Sequence, residues 1–286
     1  MRKGIRFAVV GGDQRQRELA GLLRADGYET AAFALDGTEN GDLAQALEKA
    51  DVLILPLPAA DADGRVYTPL TAAKIEEREI LERMRPGQLL LAGRAPACLR
   101  ELAAAGGIEL VDYFEREELA VLNAVATAEG AIQIMMEELP ITLWQAKILV
   151  VGFGRIGKIL AQRLRGLGAQ VSVSARKQAD KAWIRAMGCE ALDTGALDGE
   201  LPRFDCVVNT VPARVLDGKS LERLRRGCLC LDLASKPGGM DFEAAGKLGL
   251  RTVWALALPG QVAPRTSGAI LRDTIYNILE ERRNGL

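Results

Sequence analysis

Residues 146–157 read AKILVVGFGRIG, an apolar run typical of a buried strand followed directly by glycines at 152, 154 and 157. A G-x-G-x-x-G motif that follows a strand and opens a helix is the fingerprint of dinucleotide-binding domains. Gly152 permits a tight turn, Gly154 lets a pyrophosphate approach the backbone, and Gly157 lets the helix pack closely on the sheet. The stretch therefore predicts a Rossmann domain whose helix N-terminus binds an anion. Its predicted cofactor residues are Gly152, Gly154, Arg155, Ile156 and Gly157.

The next predicted strand, QVSVSA at 170–175, ends without an acidic residue. NAD-binding domains carry a carboxylate about 20 residues after the glycine motif, where it binds the ribose hydroxyls. This chain instead has Ser174, an alanine, Arg176 and Lys177. A forked guanidinium, an ammonium and a hydroxyl suit a 2′-phosphate. The pattern favours NADP over NAD.

Two later predicted strands, DCVVNT (205–210) and CLCLDLA (228–234), end in polar residues. Ligands of open parallel sheets bind beyond the carboxyl ends of the strands. We therefore expect these residues near the nicotinamide, with Lys236 as the candidate acid or base. Two simpler interpretations stay open: Asp232 could only cap a turn, and Lys236 could be an exposed loop lysine. The candidate cofactor residues here are Asn209, Thr210, Val211, Pro212 and Leu233, and the candidate catalytic residues are Asp232, Ser235 and Lys236.

The first half of the chain also alternates short β-rich runs with helical ones, which predicts a second parallel sheet. It opens with IRFAVVGGDQRQ (5–16), a weak repeat of the later strand–turn–helix unit. Asp13 replaces a glycine there, and its carboxylate would repel a pyrophosphate. We therefore place the dinucleotide in the second half only.

The predicted fold class is α/β, with two doubly wound domains and a cleft between them. Residues 1–120 form an N-terminal domain that the C-terminal helix at 265–286 completes. Residues 121–140 form a linking helix that ends at Pro140, and residues 141–264 form the Rossmann domain.

Arg15 is expected near a helix N-terminus beside a strand end, which is a good site for a substrate carboxylate. Arg94, after the predicted strand QLLLA (88–92), and Glu129, in the linking helix, are weaker candidates, because an exposed arginine or a helical glutamate is usually only solvated. The candidate substrate-binding residues are Asp13, Arg15, Gln16, Pro259, Gly260 and Val262.

Composition excludes several classes of protein. The 286 residues carry 37 basic and 38 acidic side chains and no long basic run, so neither nucleic acid nor a membrane is expected as a partner. The chain has no histidine, which removes Ser-His-Asp and Cys-His nucleophiles and every dehydrogenase mechanism with an imidazole base. Its five cysteines are never spaced as CxxC, so no metal is expected. Because the chain starts without a signal-peptide pattern, we expect it in the cytoplasm.

These motifs resemble one family along almost the whole chain: the A subunit of dipicolinate synthase, from endospore-forming bacteria. The glycine fingerprint alone is generic, but three other stretches together are far more specific. The matching stretches are GGDQRQ (11–16), YFEREELAVLNAVATAEG (113–130), VVGFGRIG (150–157), SARK (174–177), NTVP (209–212), LDLASKPGGMDF (231–242) and LPGQVAPRTSG (258–268).

The resemblance implies NADP-dependent oxidation of dihydrodipicolinate, or of its hydrated precursor, to the aromatic dipicolinate. It also implies a flavoprotein-like B subunit as the partner and the mother-cell cytoplasm as the location. Whether the chain also forms a homo-oligomer stays open. We transfer no role from the family to Arg94, because we expect the family to vary at this position. Since aromatisation drives the reaction, orientation of the ring matters more than a strong base, which fits a chain without histidine.

Two alternatives stay open from the sequence. One is another NADP-dependent dehydrogenase of a small carboxylic acid, against which the absence of histidine counts. The other is a non-catalytic nucleotide-binding subunit that regulates a partner enzyme.

Overall fold

The computed structural model describes residues 4–35, 42–61 and 63–285 of the chain. The chain divides into two compact units, and the first of them is made from both ends of the sequence. Unit 1 comprises residues 1–123 and 263–286, and unit 2 comprises residues 124–262.

Unit 1 is built on one parallel sheet. Its strands are β1 (Arg6–Val10), β2 (Glu29–Phe33), β3 (Val52–Ile54), β4 (Leu89–Ala92) and β5 (Glu109–Asp112). Their order is β2-β1-β3-β4-β5, so the winding direction reverses between β1 and β3. The carboxyl ends of these two strands therefore flank the crevice where a doubly wound sheet binds ligands.

Helices cover both faces of this sheet, and apolar residues that alternate along each strand supply two cores. The helices are α1 (Gln14–Ala25), α2 (Leu43–Lys49), α3 (Glu77–Arg83), α4 (Ala97–Ala105), the start of α5 (Glu117–Glu138), and, numbered along the chain, α11 (Pro264–Asn284).

Helix α11 belongs to unit 1 although it ends the chain. Its Leu271 and Ile275 lie in the same core as Leu19 of α1. Gly268 permits the close approach, because a Cβ there would lie 2.7 Å from Cβ of Glu18.

One predicted helix is shorter in the structure. The sequence pattern indicates a helix near 72–84, but α3 begins only at Glu77. The preceding residues fold back instead, with the Val66 N–H donating to Ile75 O at 2.9 Å, because this arrangement buries both apolar side chains. Helices α2 and α4 were not predicted.

Unit 2 holds a six-stranded parallel sheet. Its strands are β6 (Lys147–Val151), β7 (Gln170–Ala175), β8 (Glu190–Asp193), β9 (Cys206–Asn209), β10 (Leu229–Asp232) and β11 (Arg251–Trp254). Their order is β11-β10-β9-β6-β7-β8, which is the order of a Rossmann domain with its switch point between β6 and β9. The predicted α/β fold class, with a C-terminal Rossmann domain, is confirmed, whereas the expected cleft stays a prediction.

The helices of unit 2 lie between these strands in sequence, and β6 shows how the sheet is buried on both faces. Ile148 and Val150 lie in one core, and Leu149 and Val151 lie in the other. The helices after α5 are α6 (Arg155–Gly166), α7 (Gln178–Ala186), α8 (Gly218–Glu222), α9 (Phe242–Lys247) and α10 (Leu258–Val262).

Helix α5 is the one described helix that is long and apolar enough to cross a membrane, with a mean hydropathy of 1.5 over 18 residues. This is weak support for a membrane span, because the core helix of a soluble protein passes the same test. Ala128, Ala131 and Met135 of this helix are fully buried in a core of unit 2. The helix therefore has a packing role that accounts for its apolar residues.

Candidate functional site

The glycine motif forms a tight turn between β6 and α6. Gly152 has a φ of +101°, and a Cβ there would lie 2.6 Å from Oγ1 of Thr210. A Cβ on Gly157 would lie only 2.1 Å from the carbonyl oxygen of Gly152, so only glycine lets the helix lie this close to the strand. A Cβ on Gly154 would meet no atom within 4 Å. Two of the glycines are therefore needed by the fold, while the third leaves space open in front of the helix.

The N-terminus of α6 is suited to an anion. Its N-cap is Gly154, which offers no side chain to cap the helix, and its first turn has no acidic residue. The corresponding helix of unit 1, α1, is capped by the carboxylate of Asp13 in a complete capping box with Gln16. The anion position is thus filled by a side chain in unit 1 and open in unit 2, as a dinucleotide site in unit 2 requires.

The end of β7 has no carboxylate. Ala175 is its last residue and is buried, while Arg176 and Lys177 after it are exposed. Ser174 is fully buried, and its Oγ accepts a hydrogen bond from Oγ1 of Thr194 at 3.2 Å. The two cations can therefore reach a ligand at this edge, whereas the Ser174 hydroxyl is already engaged by a threonine that sequence reasoning missed.

Asn209 is the last residue of β9, the strand beside β6 at the switch point, and residues 210–212 follow it. Thr210 Oγ1 donates to Val151 O at 2.9 Å and packs against the glycine turn. Asn209 is fully buried, and its side-chain amide makes two hydrogen bonds with the main chain of Val211. Its Nδ2 donates to Val211 O, and its Oδ1 accepts from the Val211 N–H. Pro212 is exposed. The segment forms a rigid wall beside the glycine turn.

Asp232 at the end of β10 is fully buried and accepts three hydrogen bonds. Oδ1 accepts from Asn209 Nδ2 at 2.8 Å and from the Ala234 N–H at 2.9 Å, and Oδ2 accepts from the Gly239 N–H at 2.7 Å. A carboxylate satisfied in this way holds the loop that follows it. The geometry favours the turn-capping role of Asp232 over proton transfer.

The loop that Asp232 holds presents the other two candidate catalytic residues. Ser235 is half-buried, and its carbonyl accepts from the Gly238 N–H at 2.9 Å. Lys236 is exposed, and Leu233 is a core residue. Ser235 and Lys236 are therefore accessible from solvent, and Leu233 can reach a ligand through its backbone only.

The candidate substrate residues at the end of unit 2 lie on α10. Gly260 is buried, and Val262 and Leu258 pack against Gly130 of α5, where a Cβ would lie 3.2 Å from each side chain. Pro259 is half-buried on the same helix. Glu129, next to this contact, bonds to Arg163 Nη2 at 3.0 Å, so it is a paired surface glutamate.

Asp13 and Arg15 form a buried ion pair after β1 in unit 1. Arg15 Nε donates to Asp13 Oδ1 at 2.9 Å, and Nη2 donates to Asp13 Oδ2 and to Leu57 O, both at 2.7 Å. Leu57 follows β3, so the pair spans the switch point of this sheet. Burial lowers the pKa of Arg15, but the bond and charge of Asp13 outweigh that effect and raise it. The Nη1 group makes no hydrogen bond to the described part of the chain.

Gln16 lies inside the helix cap, and Arg94 is the exposed arginine that the sequence left open. Gln16 is fully buried, and its Oε1 accepts from the Asp13 N–H at 3.2 Å, which makes it part of the helix cap. Arg94 is exposed, has a φ of +52°, and lies over the ring of Phe114 at 5.1 Å.

The described residues contain no group of three or more His, Cys, Asp or Glu side chains that could hold a metal ion.

Comparisons with known proteins agree with this geometry. The model of the N-terminal domain of the dipicolinate synthase A subunit matches residues 6–114. The A subunit of dipicolinate synthase from Bacillus subtilis (strain 168) is 33% identical over an alignment of 290 positions that covers 98% of each chain. This chain belongs to the family of dipicolinate synthase A subunits.

Solved structures of the family share the fold over nearly the full length. The protein from Bacillus halodurans matches with a TM-score of 0.90 and 30% identity, covering 98% of this chain and 99% of that one. The protein from Bacillus subtilis matches with a TM-score of 0.88 and 32% identity, covering 100% and 99%.

The second half also matches a wider family of cofactor domains. The model of the D-isomer specific 2-hydroxyacid dehydrogenase NAD-binding domain matches residues 109–228, which include the glycine motif. Unit 2 is therefore a dinucleotide-binding domain of the dehydrogenase type. A transhydrogenase from Sinorhizobium meliloti, 19% identical with a TM-score of 0.70 over 96% of this chain, shares the fold.

Proposed function

We propose that this chain is the dehydrogenase subunit of a dipicolinate synthase, which oxidises dihydrodipicolinate or its hydrated precursor to dipicolinate with NADP. The observation that carries the proposal is the open helix N-terminus at Gly154, in a chain that is related to the A subunit of dipicolinate synthase over 98% of its length. The open helix N-terminus supports a dinucleotide site, and the family relationship suggests the substrate.

The residues of unit 2 fit the cofactor. The space in front of Gly154 and the uncapped N–H groups of α6 suit the pyrophosphate. Arg176 and Lys177, after the carboxylate-free end of β7, suit a 2′-phosphate. When bound, NADP supplies a hydride acceptor.

The substrate carries two carboxylates, and this chain offers cations for them. Arg15 presents Nη1 beside its ion pair with Asp13, and Lys236 presents an ammonium on the loop that Asp232 holds. Oxidation removes one hydride and one proton from the dihydro ring, and the hydrated precursor also loses water. Formation of the aromatic ring favours these losses, so holding the ring in place is the main task of these side chains.

Ser235 offers a hydroxyl beside Lys236, and these two residues are the proposed catalytic pair. Asp232 acts through them by holding their loop, which makes it a positioning residue. We propose that Pro259, Gly260 and Val262 of α10 shape the substrate site. The proposed role of Gln16 is to hold Asp13, whose backbone N–H donates to Gln16 Oε1.

The family relationship supports a proposal for the partner and for the location. We propose that a B subunit completes the enzyme and that the reaction takes place in the cytoplasm of the mother cell.

The cofactor assignment is tested by the substitution Arg176→Ala. Loss of a charged donor to the 2′-phosphate should weaken NADPH binding about 10- to 100-fold, since such bonds contribute roughly 1.5–3 kcal/mol. NADH has no phosphate at this position, so its dissociation constant should change less than twofold. Both constants are measured by fluorescence titration of the full-length chain.

Arg226→Ala is the matched control, because Arg226 is an exposed arginine of unit 2 that precedes β10 and so lies near the opposite edge of the sheet. It should leave both constants unchanged. Equal losses of NADPH and NADH binding in Arg176→Ala would contradict the 2′-phosphate assignment.

A further inference from the structure

Asp193 is the carboxylate closest in the sheet to the position that normally selects NAD. It ends β8 and lies in register with Ala175, the last residue of β7. Neighbouring strands lie about 4.8 Å apart. Ala175 and Ala191 pack in the same core, and side chains alternate along a strand, so Asp193 shares that face of the sheet. A negative charge therefore stands one strand away from where the ribose is expected.

Lys181 of α7 is bonded to this carboxylate. The Lys181 side chain is only 7% exposed, and its ammonium donates to Asp193 Oδ2. Asp193 Oδ1 accepts from the Gly195 N–H at 2.8 Å. These bonds lower the pKa of Asp193, so the carboxylate is charged and the lysine neutralises it.

Lys181 and Asp193 belong to a cluster of five charged residues, and the other three are Arg176, Lys177 and Asp180. Arg176 and Lys177 are exposed just before α7, and Asp180 in its first turn is half-buried. With Lys181 and Asp193 the cluster carries three positive and two negative charges. Removal of Lys181 would leave it without net positive charge.

We propose that Lys181 is a specificity-determining residue, which neutralises Asp193 and so lets this edge of the sheet accept a 2′-phosphate. The inference rests on the proposed use of NADP. Without the lysine, Asp193 repels a phosphate and offers its oxygens to a ribose hydroxyl instead, as the carboxylate of an NAD-binding domain does.

The test uses Lys181→Met, which keeps most of the buried aliphatic length and removes the charge. NADPH binding should weaken about tenfold, the size of effect that one unit charge several ångströms away has near a protein surface. NADH binding should stay unchanged or tighten. The double variant Lys181→Met/Asp193→Asn removes both charges and should restore most of the wild-type ratio of the two affinities.

Lys247→Met is the matched control, because Lys247 pairs with Glu243 on α9 in the same unit and is exposed. It should leave the affinity ratio unchanged. A purely structural role of Lys181 would lower binding of both cofactors, and Asp193→Asn would not rescue it; that result would overturn the inference. A wild-type chain that does not prefer NADPH would contradict the proposed cofactor itself, which distinguishes the two failures.

Discussion

Single carboxylates in this chain have very different surroundings, and those surroundings decide what each can do. Asp232 is buried but accepts three hydrogen bonds, so it holds a loop. Glu77 at the start of α3 is only 4% exposed, and its Oε1 has no partner among the described residues. Its other oxygen lies 3.8 Å from the Cys98 thiol, which is a weak donor. Glu77 is therefore a buried carboxyl group whose only hydrogen-bond donor among the described residues is a weak one.

This situation predicts a pH-dependent cost in stability. Burial raises the pKa of Glu77, so the folded chain binds this proton more tightly than the unfolded chain. Stability from this group is present below the unfolded pKa, roughly 4.3, and is lost as the pH rises through the folded value. The urea midpoint of Glu77→Gln should be higher than that of wild type at pH 7. At pH 4 the two midpoints should be closer together.

Glu76→Gln is the control, because Glu76 is exposed and bonded to Arg65. It should not gain stability between the two pH values. A Glu77→Gln variant whose difference from wild type is the same at both pH values would rule out the effect of burial.

The sequence predicts candidate site residues but not the hydrogen bonds that these residues make. Arg15 was predicted as a carboxylate ligand, and the structure adds that Asp13 and Leu57 O already occupy most of its donors. Lys181 and Asp193 escaped prediction because their pairing joins a helix to a strand that the sequence did not reveal. Such contacts depend on how a helix packs against its sheet, which a local sequence pattern does not contain.

At the scale of elements, the two strand–turn–helix units of this chain differ in how the N-terminus of the helix is capped. The turn after β1 ends in Asp13, which caps α1, and the turn after β6 ends in Gly154, which leaves α6 open. This difference separates a structural helix N-terminus from one that can bind an anion.

The glycines of the second turn should respond differently to alanine. Gly154→Ala puts a methyl group into open space, so the melting temperature should change little while NADPH binding falls at least tenfold. Gly157→Ala puts a methyl group 2.1 Å from Gly152 O and should cost ~3 kcal/mol or more of folding stability. Thermal unfolding and fluorescence titration separate the two effects.

Gly166→Ala, near the end of the same helix and with no atom near its Cβ position, is the control. It should bind NADPH normally and gain roughly 0.5–1 kcal/mol. The element-scale account is wrong if Gly154→Ala binds NADPH as wild type does.

Elements with strong local signals were predictable from the sequence, and those set by packing were not. β6, α6 and β7 follow from the glycine motif and an apolar run. The start of α3 at Glu77 could not be predicted, because the burial of Val66 against Ile75 outweighs the helical pattern before it. Strand β8, which ends in Asp193, is short and only half-buried, so it has no clear apolar pattern.

At the scale of the whole molecule, the chain joins two doubly wound sheets with different strand orders, and each has its switch point marked by functional candidates. In unit 1 these are Asp13 and Arg15, and in unit 2 they are Gly154 and residues 209–212. The family relationship extends over both units, so the proposed reaction belongs to the whole chain and not to its cofactor domain alone.

The most direct measurement mixes the full-length chain with NADP and freshly generated cyclic precursor, with and without a B subunit, and follows NADPH and dipicolinate together. The account predicts that both products form in equal amounts, and that the Gly154→Ala variant forms both more slowly when NADP is below saturation. If NADPH binds tightly but no dipicolinate forms under either condition, the chain only binds the nucleotide and the proposed reaction is wrong.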